Sequence, residues 1–389
     1  VEVLDLMFKD DAVLAVTSSI ESLRPEIIGI SVRNIDDQNR AGPRFLLDQV
    51  RAVVSLCRSL TGVPIVIGGA GYSIFPESIV QYLKADMGIQ GEGEAVFPLV
   101  LDCLANGGAL SGIPGLVLKD KGLQAERMFT DDLDCLPLPD PGLSAYAADT
   151  GRDILLPVQT RRGCPMGCSY CSTAVIEGSS IRMRSPAAVV RNIAAHAQQG
   201  FRRLHFVDNT FNIPLSYAKE LCTAIIHADL DIAWRCILYP GRIDEELVGL
   251  MKLAGCFEVS LGFESGCERI LKSMNKKFGK EDIRRASELL RAQGIERWGF
   301  LLLGGPGETR ESVEESLHFA DSLDLDMLKL TAGIRIYPYT PLEKTAREQG
   351  LVSPDDDLLA PVFYMAEGLD GWIQETIREW VEARPHWVW

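Results

Sequence analysis

Cys164, Cys168 and Cys171 are the residues whose spacing points most directly to chemistry. They stand in the run Gly163-Cys164-Pro165-Met166-Gly167-Cys168-Ser169-Tyr170-Cys171, a C-x3-C-x2-C pattern on a glycine-bearing loop. A structural zinc ion asks for four nitrogen or sulfur ligands, usually in paired close spacings, and no fourth Cys or His lies near this loop in sequence. A cubane iron–sulfur cluster takes one thiolate per iron, so three cysteines leave one iron open to another ligand. An open iron implies reactivity. Three unligated thiols are the bland alternative, but free cysteines are more often solitary and buried than triplicated at ligand spacing. The other cysteines (57, 103, 135, 222, 236, 256 and 267) are scattered and read as small core residues.

The loop follows a strand-like segment, Ile154 to Gln159, that opens a series of strand candidates. The others are Arg203 to Val207, Ile232 to Cys236, Phe257 to Gly262, Trp298 to Leu303 and Leu328 to Ile336. Helical segments separate them: Ser185 can cap a helix beginning at Pro186, and Gly294 can close one running from Glu281. Six such repeats predict a partial (β/α)6 TIM-type barrel, in which chemistry sits at the carboxyl ends of the strands. Ahead of this series, Val1 to Leu6, Ile27 to Val32, Pro64 to Ile67 and Met87 to Ile89 read as strands of a Rossmann-like α/β sheet. Phe45 to Leu60 carries an apolar helical stripe between the second and third. Glycine-rich turns, Gly68-Gly69-Ala70-Gly71 and Gly91-Glu92-Gly93-Glu94, fall at strand ends, where open α/β sheets bind ligands. The acidic, proline-rich stretch from Asp131 to Pro141 blocks helix and central strand alike. The predicted organisation is a front domain over 1–125, a linker over 126–150, the barrel over 151–345 and a mainly helical C-terminal segment over 346–389.

The three-cysteine loop, with an aromatic residue before its last Cys, resembles the cluster loop of the radical S-adenosylmethionine enzymes. The resemblance implies a [4Fe–4S] cluster on Cys164, Cys168 and Cys171, with S-adenosylmethionine on the free iron and Tyr170 near its adenine. In that family one electron cleaves S-adenosylmethionine into methionine and a 5′-deoxyadenosyl radical. By the same resemblance Asp208 and Asn209 would meet the methionine part, Glu264 and Ser265 the ribose or methionine, and Gly304 and Gly305 the adenine.

The front segments resemble the cobalamin-binding domain that precedes the radical domain in one large branch of that superfamily. Arg33, Asn34, Gly68, Gly69, Gly71, Gly91, Glu92 and Gly93 would then lie against the corrin and its nucleotide tail. A nicotinamide or flavin reading is weaker, because Gly69-Ala70-Gly71-Tyr72-Ser73-Ile74 lacks the last glycine of G-x-G-x-x-G. Two features depart from a full cobalamin domain. The first strand and helix are missing ahead of Val1, which is not a Met, so the natural chain is expected to begin earlier. The D-x-H-x-x-G motif is absent and no histidine precedes His196, so cobalamin is expected to have no histidine ligand from the visible front domain.

The chain of 389 residues has a formal net charge of −15, which disfavours sequence-independent nucleic-acid binding and favours a small-molecule substrate. No apolar run reaches the ~20 residues of a membrane span, and no signal peptide is evident, so the expected location is cytoplasmic. Against the overall charge, arginines 161, 162, 182, 184, 191, 202 and 203 face one acid, Glu177, within their segment. Such a surface, with Arg182 and Arg184 at its centre, would attract an acidic electron donor such as flavodoxin or ferredoxin. The resemblance implies a cobalamin-dependent methyltransferase acting on an unactivated carbon. The alternatives are an oxidoreductase or cyclase with the same cofactors and no methyl transfer, and a non-catalytic cobalamin or redox sensor.

Overall fold

The computed structural model describes residues 1–142 and 155–389. Ile154 and the rest of the stretch 143–154, which spans the end of the expected linker and the start of the expected barrel segment, lie outside the described residues.

The front part is an α/β sheet built from β1 (Ile28–Ser31), β2 (Ile65–Gly68), β3 (Met87–Ile89), β4 (Leu116–Leu118) and β5 (Gly122–Leu123), paired in that order. The first three run parallel and the last two antiparallel. Two apolar layers cover it. Ile65 and Ile67 face one side with Val54, Ile79 and Val80, while Val66, Met87 and Ile89 face the other with Val96 and Val100. Buried on both faces, β2 and β3 read as continuous apolar runs rather than alternating ones. The expected helical stripe forms helix Leu47–Leu60. The expected strand from Val1 to Leu6 does not form: Leu6–Phe8 is a short 3-10 turn, and Val1 and Val3 are exposed. β-Propensity alone makes no strand without a partner edge, and no described strand pairs with this segment.

Next come β6 (Leu156–Val158), β7 (Arg161–Arg162), β8 (Arg182–Met183), β9 (Arg203–Phe206), β10 (Ala233–Leu238), β11 (Cys256–Glu264), β12 (Glu296–Leu303) and β13 (Met327–Ala332). After them follow β14 (Ile334–Arg335), β15 (Phe363–Tyr364) and β16 (Trp387–Val388). Six strands, β6, β9, β10, β11, β12 and β13, pair in parallel as the partial barrel. Along each strand one face is sealed under helices, as with Leu204, Trp234, Val259, Leu301 and Leu328, and the alternate face is more open toward the lumen. Helix Pro186–Gln198 begins as expected, with Ser185 Oγ accepting from Ala188 N–H. Helix Lys280–Ala292 starts one residue before the expected point.

Two strand expectations change at the C-terminal side. The run from Leu328 to Ile336 is broken at Gly333, whose φ of +84° turns the chain out of β13, so that β14 pairs with β15 instead. The last residues are not only helical: β16 adds a seventh parallel strand beside β13, and Trp387 stacks on Trp380 at 5.5 Å. No described helix is long and apolar enough to cross a membrane.

Front sheet and barrel are joined by buried ion pairs. Arg335 Nε donates to Asp36 at 2.8 Å with both side chains essentially inaccessible, and its remaining nitrogens donate to the carbonyls of Ile336, Leu358 and Leu359.

Candidate active site

The antiparallel pair β7 and β8 forms the base from which the cysteine loop projects. Gly163 takes φ +89° and Gly167 φ +63°, backbone conformations that glycine reaches without a Cβ penalty, and a Cβ on Gly163 would collide with Ser180 O. Distant segments brace the loop. Ser169 N–H donates to Met274 O at 3.0 Å, Asn275 Nδ2 to Gly167 O at 2.6 Å, and Leu342 N–H to Ser169 O at 2.9 Å.

Cys164, Cys168 and Cys171 are half-buried and free of disulfides. Burial pushes the Cys164 and Cys168 thiols up, and neighbouring thiols add to the effect, so these sulfurs ionise readily only beside a cation. No group of three His, Cys, Asp or Glu among the described residues is arranged to hold a single metal ion. Three thiols match three of the four iron vertices of a cubane, whereas a tetrahedral zinc asks for four ligands. The donor set of three thiols on one braced loop fits the cluster.

At the barrel mouth the structure brings together residues distant in sequence. Glu264 ends β11 at φ +67°, and Lys276 Nζ sits 3.4 Å from its Oε1 and 3.0 Å from the Tyr170 hydroxyl, to which it donates. Burial opposes the Lys276 charge, but the Glu264 carboxylate and the Cys168 and Cys171 thiols together hold its pKa above the usual lysine value. The spacing gave no hint of Lys276. It is 106 residues from Tyr170, and only the fold makes them neighbours. Asn209 is also at the site: its Oδ1 accepts from Thr173 Oγ1 at 3.4 Å, and that hydroxyl accepts from Cys171 Sγ at 3.2 Å.

Other expected ligands have structural duties. Asp208 is fully buried and accepts from Thr160 N–H, Thr160 Oγ1 and Arg161 N–H at 2.8, 2.7 and 3.1 Å. It therefore anchors the chain entering the cysteine loop and cannot reach a ligand. Ser265 is likewise sealed: its Oγ bonds Ser316 Oγ at 2.9 Å and accepts from Cys267 N–H. Gly304 and Gly305 turn around Glu308, whose Oε2 accepts both of their N–H groups. A Cβ on Gly304 would meet Met365 Sδ at 2.7 Å, so this glycine makes room for protein.

On the front side, Gly69 and Gly71 let the turn after β2 press onto the end of β1, where a Cβ would lie 2.6 Å from Val32 O and 2.8 Å from Arg33 O respectively. Arg33 and Asn34 are exposed there, and Gly68, Gly91 and Gly93 lie at the neighbouring strand ends. Glu92 is not free for a cofactor. Its Oε1 takes Arg182 at 2.5 Å and Arg162 at 3.2 Å, and its Oε2 accepts from Thr130 N–H at 2.8 Å.

The arginine segment does not form the expected docking surface. Arg182 is buried on Glu92, Arg184 donates to the Leu136 and Pro137 carbonyls, and Arg161 and Asp208 are buried together. Arg162 is held by Glu92 and Glu94, and Arg202 by Asp231. These five are held by acids or carbonyls, and the other two of the seven, Arg191 and Arg203, are exposed cations outside these pairings.

A cavity of about 320 Å³ opens at the seam, lined by Arg33, Glu94, Gln159, Arg162, Arg184 and Val207 among others. It is smaller than a corrinoid. Its polar lining, with Arg33, Gln159, Arg162 and Arg184 among the donors, offers partners to a macrocycle rimmed by amides. Among the described residues no histidine stands on the front sheet.

A family model for the radical SAM superfamily matches residues 158–320. Tryptophan 2-C-methyltransferase of Streptomyces laurentii is 26% identical over 415 residues, spanning 89% of this chain and 69% of that protein. Cytidylyl-2-hydroxyethylphosphonate methyltransferase of Streptomyces wedmorensis is 25% identical over 394 residues, spanning 90% and 71%. The radical S-adenosylmethionine methyltransferase TsrM of Kitasatospora setae, solved with tryptophan and a SAM analogue, superposes with a TM-score of 0.81 at 27% identity, covering 90% of this chain and 70% of that one. Its structure with cobalamin and a [4Fe–4S] cluster gives a TM-score of 0.79 at 26% identity, covering 95% and 74%. With its cysteine loop at the mouth of a parallel barrel behind a Rossmann-like sheet, the chain carries a radical SAM domain over 158–320 and is similar along most of its length to cobalamin-dependent radical S-adenosylmethionine methyltransferases.

Proposed function

We propose that this chain methylates a carbon atom of a small molecule, with S-adenosylmethionine as the methyl source and a [4Fe–4S] cluster and cobalamin as cofactors. The observation that carries the reading is the loop of three thiols that follows the first barrel strand, braced by Met274, Asn275 and Leu342, with no fourth Cys or His near it in sequence. When bound, the cluster supplies an electron to S-adenosylmethionine and cobalamin supplies a methyl carrier.

The chain's own residues supply position and field. Cys164, Cys168 and Cys171 hold the cluster. Lys276 keeps a fixed ammonium beside it, which offsets the negative charge of three thiolates, while Glu264 orients that ammonium against Tyr170. Asn209 and Glu264 offer polar atoms to the methionine and ribose parts of S-adenosylmethionine. Arg33, Asn34 and the turns at Gly68–Gly71 and Gly91–Gly93 border the corrinoid. Residues 1–125 form the cobalamin unit, 126–150 the linker, 151–345 the radical unit and 346–389 its closing segment. The reducing electron comes from outside the chain, and an acidic carrier of the flavodoxin or ferredoxin kind is the proposed donor.

The test is anaerobic incubation of the reconstituted protein with a small-molecule extract and S-adenosylmethionine carrying a deuterated methyl group. A product carrying the label is the expected outcome. 5′-Deoxyadenosine without any labelled product would favour the oxidoreductase or cyclase reading instead.

A further inference from the structure

The inward face of the barrel carries charge that the site above does not use. Alternation along β13 buries Leu328 and Leu330 under the helices, leaving Lys329 on the lumen side, where it is exposed. Its register partner on β12 is Phe300, and Trp298 lies two residues away on the same face. The acids beside this wall on β11 have cations of their own: Glu258 pairs with Arg235 at 3.4 Å and Glu264 with Lys276 at 3.4 Å. Among the described residues Lys329 has neither an ion pair nor a hydrogen bond. Lys329 is thus an exposed ammonium beside Phe300 and Trp298, open to an anion that enters the lumen.

We propose that Lys329 anchors the substrate and that the substrate class is a small molecule with a carboxylate and a flat apolar body. The carboxylate meets the ammonium, and the body lies on Phe300 and Trp298. A neutral substrate would leave Lys329 unanswered, and a purely aliphatic anion would leave the aromatic pair without a matching surface. Glu264 ends the neighbouring strand β11 on the same inward face, so a body resting on the aromatic wall extends from Lys329 toward the mouth where the cluster loop sits. The proposal rests on the reading that the lumen holds the substrate during methyl transfer.

The test is calorimetric titration of the reconstituted holoprotein with indole-3-propionate and its uncharged isostere indole-3-propionamide. The carboxylate is expected to bind at least tenfold more tightly than the amide. Lys329→Met should erase that difference by weakening the carboxylate alone, Lys329→Arg should retain most of it, and Lys344→Met, on an exposed helix face, should change nothing. Equal binding of the two probes, no binding of either, or an unchanged preference in Lys329→Met would overturn the proposal. Binding is read without turnover, so a failure here is distinct from failure of the methyl-transfer reading, which shows in labelled product.

Discussion

Glu92 holds two arginines at the base of the cysteine loop, and its substitution tests that role. Its Oε1 holds Arg182 at 2.5 Å and Arg162 at 3.2 Å, its Oε2 accepts the Thr130 N–H at 2.8 Å, and its side chain is 8% exposed. Arg182 is 7% exposed, and its other donors are fixed on Thr130 O and Glu177 O, so it cannot swing out to water when its acid is lost. Glu92→Gln therefore strands a buried guanidinium at the base of the cysteine loop. Breaking a buried pair from one side costs about 3–5 kcal/mol. Arg162 keeps Glu94, which places the outcome toward the lower end of that range. The assay is chemical denaturation of the anaerobic holoprotein, with iron and cobalt measured on the same samples. A lowered midpoint, partly restored by Arg182→Met in the double variant, is expected. An unchanged midpoint with selective loss of cobalt would refute the structural role and restore Glu92 as a cofactor contact. The pair also has a pH signature. Burial alone would raise the Glu92 pKa, but the Thr130 N–H and the two arginines lower it below 4.5. Its contribution is then complete above about pH 4.5 and lost as the pH falls through the lowered value.

Alanine at Cys164, Cys168 or Cys171 should remove iron and sulfide and abolish S-adenosylmethionine cleavage, with the denaturation midpoint of the apoprotein unchanged. Gly163→Ala should lower iron content, because the new Cβ meets Ser180 O, whereas Gly200→Ala, with φ +93° and open space around it, should cost about 1–2 kcal/mol and leave iron content alone. Burial pushes the Glu308 carboxyl up to about 7, against the N–H groups of Gly305 and Gly304. The unfolded chain ionises near 4.5, so this group's stability is complete below that value and lost as the pH rises toward 7. Glu308→Gln cannot ionise, so its stability relative to the parent should grow between about pH 5 and 8, by up to about 3 kcal/mol. A difference independent of pH would contradict the buried protonated carboxyl.

What could be read from the sequence was what is encoded locally. The cysteine spacing, the Ser185-Pro186 helix start and the apolar runs of β2 and β3 each depend on a few adjacent residues. The structural duties of Asp208, Ser265 and Glu92 were hidden because their partners, Thr160, Ser316 and Arg182, lie 48, 51 and 90 residues away. A carboxylate at a strand end looks the same in sequence whether it faces a ligand or an arginine. Lys276 was missed for the same reason. Val1 to Leu6 has strand composition without a described partner edge, and β16 is two residues long, too short to show a period. The arginine-rich segment read as surface because net charge counts residues and not the acids that meet them through space.

An open-vertex cubane next to a corrinoid fixes the metal content of the protein, which metal and sulfide analysis of anaerobically purified, reconstituted material reads. About four irons, four acid-labile sulfides and one cobalt per chain are expected. Zinc on the cysteine loop, or iron without labile sulfide, would contradict the cubane.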